Sequence, residues 1–406
     1  MPGHNSRNMV VLFITLVVVM MGFGMVIPLL GFYVDSFGAS GVELGLLMTS
    51  YALMQFLFAP VWGGLSDRLG RKPVLVLGVL GNALTQLFFG LATHLWMLFA
   101  ARILAGVLSS ATLPTAMAYV GDSTSEDQRS GGMGLMGAAM GVGMVIGPGA
   151  GGLLARDSLA LPFLVASGLS AAALALLVAI LPESLPPDQR TRRGDAQIGR
   201  GPQLRQMARA LSGPIGVLLV MAFLVSFGIT NFETVFSLYT LERYGYGPQR
   251  VSFILMLSGL LSAVVQGALT GWFTRRWGEA NVIRGALFIG AAGFVLMTTA
   301  ERPGWVIATT LFFMVGNSLL RPTVSALTSR RAVVGQGAAM GLNNAFMSLG
   351  RVVGPTWAGF LLDVNLNLPY FSGAVILLAG FVVGLLWLAE GEKETAAAPA
   401  SHNPIA

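Results

Sequence analysis

The chain has 406 residues, of which 54% are apolar and 10% charged, with a mean hydropathy of +0.73. Soluble domains carry about 25% charged residues, so lipid is the natural solvent for this chain, and its net charge of +6 does not mark a nucleic-acid binder because the basic residues sit in short loops. With no cysteine, and with His4, His94 and His402 all in loops or tails, disulfides, thiolate nucleophiles and a histidine-ligated metal centre inside a membrane are excluded.

A hydrocarbon core of about 30 Å takes roughly 20 apolar residues at about 1.5 Å rise each. Twelve runs qualify: 9–31, 43–64, 73–93, 95–118, 132–154, 160–181, 214–240, 252–273, 282–299, 304–327, 337–361 and 370–389. The first is too long for the apolar part of a signal peptide, about 7 to 15 residues, and is expected to be a span. The one long polar stretch, 182–213, divides the spans six and six, so the expected organisation is an N-terminal bundle 1–181, a linker 182–213, a C-terminal bundle 214–390 and a disordered tail 391–406. Within the linker, Leu204, Met207 and Leu211 recur at helical spacing among basic residues, which predicts a short helix lying on the membrane surface.

The halves repeat. Gly63-Gly64-Leu65-Ser66-Asp67-Arg68-Leu69-Gly70 after span 2 is echoed 208 residues on by Gly271-Trp272-Phe273-Thr274-Arg275-Arg276-Trp277-Gly278 after span 8. Gly143, Gly147, Pro148, Gly151 and Gly152 in span 5 are echoed 207 residues on by Gly350, Gly354, Pro355, Ala358 and Gly359 in span 11. A duplicated six-span unit is a transporter design in which a midplane site is exposed alternately as the halves rock.

The segment Gly63 to Leu75, GGLSDRLGRKPVL, places Asp67, Arg68, Arg71 and Lys72 around Gly70, with Asp122 at the end of span 4 as a partner for Arg68 or Arg71. It resembles the signature between spans 2 and 3 of the major facilitator superfamily, G-x-L-a-D-r-x-G-r-k-x-x-l, with every key position filled. The resemblance implies an all-α membrane protein of twelve helices in two pseudo-symmetric six-helix bundles. It also implies that Asp67 latches the cytoplasmic side against the N-terminus of span 11, where a helix dipole stabilises an anion. Arg102 and Gly106 in span 4 resemble the family's R-x-x-q-G-x-g signature, linked in proton-driven members to proton transfer, although Ala105 stands at the glutamine position. Span 5 resembles G-x-x-x-G-P-x-x-G-G-x-l, a mark of exporters, and span 1, MGFGMVIPLL, resembles a proline signature of the twelve-span drug and proton antiporters. Together with GLNNAFMSLGRVVGP in the second half, these features are similar to multidrug exporters of Gram-positive type and, more distantly, to tetracycline exporters.

One acid, Glu233 in span 7, lies well inside a span and is the candidate proton carrier, and the resemblance to multidrug exporters implies that it also attracts cationic drugs. Relatives that carry an acid in span 1 or span 10 are not matched, because Val19, Asn317 and Arg321 stand there; Arg321 and Arg351 are instead charge partners for Glu233 or for an anionic group. Tyr51, Met54, Gln55, Phe227, Asn231, Phe232, Asn343, Asn344 and Met347 are the candidate lining of a pocket rich in adaptable apolar groups.

The predicted external loops hold only Arg156, Arg243, Arg250 and Arg302 of the 24 basic residues, so the positive-inside rule puts both termini in the cytoplasm. The expected function is proton-coupled export of small hydrophobic, often cationic drugs by a monomer in the bacterial inner membrane, without cofactor or nucleic acid. Export of a metabolite or a lipid-like molecule on the same fold is the alternative. A membrane enzyme or receptor is a remote one, because no HExxH, Ser-His-Asp set, P-loop or output domain is present.

Overall fold

The computed structural model describes residues 2–190, 204–213, 215–332 and 335–388. The linker is therefore described only at its two ends, and the tail 391–406 lies outside the described residues. Twelve long helices follow in order: α1 Pro2–Ser36, α2 Gly41–Leu69, α3 Arg71–Gly90, α4 Leu95–Ser123, α5 Glu126–Leu154, α6 Leu161–Ile180, α7 Gly216–Tyr244, α8 Pro248–Trp277, α9 Glu279–Thr298, α10 Pro303–Arg330, α11 Gln336–Val364 and α12 Leu368–Trp387. Eleven are long and apolar enough to cross a membrane; α11 has the length but is diluted by Asn343, Asn344, Ser348, Arg351 and its glycines. The protein is thus a twelve-helix membrane protein, and among the described residues it has no strand. A short helix, Leu204–Leu211, forms where the linker pattern predicts one.

Several helices outrun their apolar runs. α4 continues to Ser123 rather than ending near 118, and α8 spans Pro248–Trp277 rather than 252–273. Hydropathy marks only the part matched to hydrocarbon, whereas the hydrogen-bond ladder continues until a residue stops it. Two such stops are the repeated glycines: Gly70 ends α2 at φ 103° and Gly278 ends α8 at φ 75°, a region that residues with a Cβ rarely enter. The halves therefore share a helix stop as well as a sequence. α4 tightens to a 3₁₀ turn at Ser109–Ala111 and α8 widens to a π turn at Val265–Leu269, interruptions that mark places where a helix bends.

The chain forms two compact units. One comprises Met1–Leu204, Ile229–Ala263 and Arg351–Pro369, so it holds α1 to α6 together with parts of α7, α8 and α11. Its core gathers Leu12 and Leu16 of α1, Leu75 and Val79 of α3, Tyr119 of α4, Met136 of α5 and Leu177 of α6. The other comprises Arg205–Gly228, Val264–Gly350 and Tyr370–Ala406, where Phe294 of α9 packs on Phe313 of α10, with ring centroids 4.5 Å apart, and on Tyr370 of α12.

In lipid, helix association relies on close packing rather than on the hydrophobic effect, so small residues sit where helices meet. The span-5 signature does this directly. A Cβ at Gly143 would strike Met20 and the Val17 carbonyl, one at Gly147 the Met21 carbonyl, and one at Gly151 the Met25 side chain, so three glycines seat α5 on α1. Gly152 faces Ser252 of α8. The echoed positions in α11 repeat the arrangement, with Gly350 against Phe223 and Phe227 of α7 and Gly359 against Gly41 and Gly45 of α2.

Candidate functional site

The charged loop between α2 and α3 is organised by Arg71, which is 8% exposed. Its Nη1 donates to Asp67 Oδ1 and, at 2.7 Å, to Ser66 Oγ, and its Nε donates to Asp122 Oδ2 at 2.8 Å. Arg71 rather than Arg68 is the partner of Asp122. Glu183, just beyond α6, supplies an anion at the α3 N-terminus: its carboxylate accepts from the backbone N–H of Arg71 at 2.8 Å and of Lys72 at 3.2 Å. A Cβ at Gly70 would overlap Glu183 Oε2, so that glycine is required twice, for its φ and for this approach. Lys72 Nζ donates to the Val178 carbonyl of α6 at 2.8 Å. Gly63 has no atom within 4 Å of where a Cβ would stand. Sequence reading missed Glu183. Its signal was a carboxylate immediately after a span and before Pro186 and Pro187, which reads equally well as the start of a linker.

Deeper in the same unit, Arg102 of α4 is 4% exposed and rests on α2. Its Nη2 lies 3.0 Å from Met48 Sδ, its Nε 3.4 Å from the Leu47 carbonyl, and its guanidinium carbon 4.6 Å from the centre of the Tyr51 ring. Among the described residues it makes no ion pair with a carboxylate, and the π face is its main electrostatic partner. Gly106, one turn on, makes this possible, since a Cβ there would lie 2.6 Å from both the Tyr51 carbonyl and Met54 Cβ. The R-x-x-x-G spacing is thus a seat that lowers the arginine onto a tyrosine.

Tyr51 carries the network onward. Its ring meets Phe23 of α1 at 5.5 Å, its hydroxyl accepts from Gln55 Nε2 at 3.2 Å, and Gln55 Oε1 accepts from Arg351 Nη1 of α11 at 3.4 Å. Arg351 acts through space on the Glu233 carboxylate of α7 and on Tyr51. Tyr51, Gln55, Arg351 and Glu233 are all partly exposed. Four residues chosen from sequence, on α2, α4 and α11, therefore form one connected polar group inside an apolar protein, and Glu233 of α7 lies within electrostatic reach of its Arg351 end.

The other candidates sit elsewhere. Met54 lies beneath Gly106. Asn231 is fully buried, donating from Nδ2 to the Pro369 carbonyl at 3.1 Å, and Phe232 is buried against Phe236 at 4.7 Å. In the second unit, Phe227 stacks on Phe223 at 5.8 Å, and buried Asn343 donates to Ser325 Oγ at 3.3 Å and contacts Met347 Sδ at 3.6 Å. Asn344 and Arg321 are exposed. Among the described residues, no group of three or more His, Cys, Asp or Glu side chains is placed to hold a metal.

Two sequence-related sets of six helices, a charged loop between the second and third and a polar group spread over several spans define a membrane transporter rather than an enzyme. The chain belongs to the Major Facilitator Superfamily, whose family model matches residues 12–335. It is 31% identical to Multidrug resistance protein 2 of Bacillus subtilis over 96% of each chain. It is 28% identical to the Quinolone resistance protein NorA of Staphylococcus aureus over 94% of this chain and 96% of that one. Among solved structures, the nucleoside transporter NupG superposes with a TM-score of 0.77 over 94% of this chain and 99% of that one, at 14% identity, a likeness of fold alone.

Proposed function

We propose that this protein exports small hydrophobic, often cationic drugs across the bacterial inner membrane in exchange for protons, by alternating access, as a monomer with both termini in the cytoplasm. The observation that carries the reading is the position of Glu233. It is the one acid in the interior of a span, partly exposed, and within electrostatic reach of Arg351. An intramembrane carboxylate is costly to keep charged and so is suited to load and release a proton as its surroundings change. The names of two relatives, a multidrug and a quinolone resistance protein, support drugs as the cargo.

Glu233 takes the proton, and its charged form attracts a cation, so proton and drug compete for one group, which is the requirement of exchange. Arg351 balances the charged form. Arg102 holds Tyr51, and through Gln55 the tyrosine reports to Arg351. Tyr51, Met54 and Gln55 on α2 contribute substrate surface beside Glu233. The Asp67–Arg71–Asp122 set is the conformational switch at the cytoplasmic end.

Reconstituted vesicles with an imposed pH gradient and a compound panel test the reading. The native chain is expected to move protons when cationic drugs are added, and Glu233→Gln is expected to abolish that coupling. Unchanged coupling in the variant would rule out Glu233 as the carrier, and transport of only endogenous amphiphiles would replace drugs as the cargo.

A further inference from the structure

α2 begins with a reciprocal cap in which Ser40 Oγ accepts from the Glu43 N–H at 3.2 Å and Glu43 Oε2 accepts from the Ser40 N–H at 2.8 Å. That box leaves the N–H groups of Gly41 and Val42 without partners inside their own helix. They donate to Asp363, in the last turn of α11, at 2.6 Å to Oδ1 and 2.9 Å to Oδ2. Both carboxylate oxygens are thus bound at a helix N-terminus supplied by a residue 322 positions away in sequence.

The contact closes a continuous seam. A Cβ on Gly41 would sit 2.7 Å from Asp363 Oδ1 and 2.8 Å from the Gly359 carbonyl, and one on Gly45 would overlap the Pro355 carbonyl. One turn farther, Thr49 Oγ1 donates to the Val352 carbonyl at 2.8 Å and lies 2.7 Å from Thr356 Oγ1. Asp363, Gly359, Thr356, Pro355 and Val352 lie along one face of α11, and the glycines on both sides leave room for the backbones to touch. Of the hydrogen bonds in this seam, only those of Asp363 are charge-assisted, which makes them the strongest per bond, and the one at 2.6 Å is the shortest.

We infer that Asp363 is a positioning residue of the transport cycle: its carboxylate, bound to the N-terminus of α2, latches α2 to α11 at the end opposite the Asp67 loop and must let go when that end opens. The same helix pair would then carry a reciprocal pair of aspartates, Asp67 at the C-terminal end of α2 and Asp363 at the C-terminal end of α11. The inference rests on the alternating-access reading above.

Because the chain lacks cysteine, spin labels can be attached at Ala39 and Val364, beside the latch, without removing any native thiol. Pulsed EPR distances are measured on the full-length protein in lipid nanodiscs. In the native chain the short distance should dominate. In Asp363→Asn, which keeps the shape and loses the charge, the ratio of short to long populations should fall about tenfold, while Asp363→Glu should restore at least half of the short population. Val42→Pro removes one donor in the first turn of α2, where no intrahelical bond is lost, and should shift the ratio in the same direction by about threefold, so it decides the matter should Asp363→Asn fail to fold. Native-like ratios in Asp363→Asn and Val42→Pro, or equal shifts in the Asn and Glu variants, overturn the latch. Drug-driven proton movement is recorded on the same samples: its absence in the native chain refutes the export reading alone, and its presence with unshifted distances refutes the latch alone.

Discussion

Replacing Gly106 by alanine tests whether the arginine seat is a packed joint. The added methyl would stand 2.6 Å from the Tyr51 carbonyl oxygen and 2.6 Å from Met54 Cβ. Ordinary contacts begin about 0.8 Å farther out, and neither neighbour is the far end of a flexible side chain, so α2 and α4 must separate. Overpacking of this kind costs about 1 to 3 kcal/mol, and the better helix propensity of alanine returns about 1 kcal/mol. The net expectation is a loss of up to about 2 kcal/mol, together with weakening of the Arg102–Tyr51 contact now at 4.6 Å. Thermal unfolding in detergent, followed through the seven tryptophans, should show a Tm lower by about 2 to 4 °C, with a fall in transport rate. Gly63→Ala is the control, since a Cβ there meets nothing within 4 Å, and its Tm should be unchanged or slightly higher. A Tm for Gly106→Ala at or above the native value, with transport intact, would refute the argument that this glycine holds α4 against α2.

Gly70→Ala should be more damaging than Gly106→Ala, because φ 103° and the Glu183 carboxylate both exclude a methyl; a loss of about 1 to 3 kcal/mol is expected in the same unfolding assay. Glu183→Gln removes the anion from the α3 N-terminus and should cost about 1 kcal/mol, with a smaller difference in high salt. A double-mutant cycle on Arg71 and Asp122 should give a coupling of about 1 kcal/mol, modest because Asp122 is partly solvated, and a value of zero would remove that pair from the switch. Arg351→Gln should leave the fold intact and slow drug-driven proton movement, since it removes the cation that reaches Gln55 at 3.4 Å; an unchanged rate would take Arg351 out of the site.

Much of this site was visible before any coordinates. Arg102, Arg351 and Glu233 stand out because charged side chains are expensive in a span, whereas Tyr51 and Gln55 were legible only as residue types suited to lining a pocket. Their connection was not visible, because Arg351 and Gln55 are 296 residues apart and meet only where α11 crosses α2. Asn231, Phe232 and Asn343 illustrate the converse. Their residue types suit a drug pocket, yet all three are buried against protein, and helical periodicity does not distinguish a side chain facing a neighbouring helix from one facing a cavity. Glu183 escaped notice because its role depends on α6 ending beside the start of α3.

Composition, twelve apolar runs and two echoes about 207 residues apart were enough to establish a duplicated helical membrane protein, since lipid admits few ways to bury a backbone and a repeated pattern needs only a linear comparison. Even the helix stops at Gly70 and Gly278 follow from local chemistry. Which charges meet was decided by the tertiary structure. Arg71 took Asp67, Asp122 and the approach of Glu183, Arg102 took an aromatic face, and Asp363 took the first turn of a helix from the other half of the chain. Such pairings depend on crossing angles and glycine contacts between helices far apart in sequence, and a distance of 3 Å between two atoms is a property of packed helices that no residue carries alone.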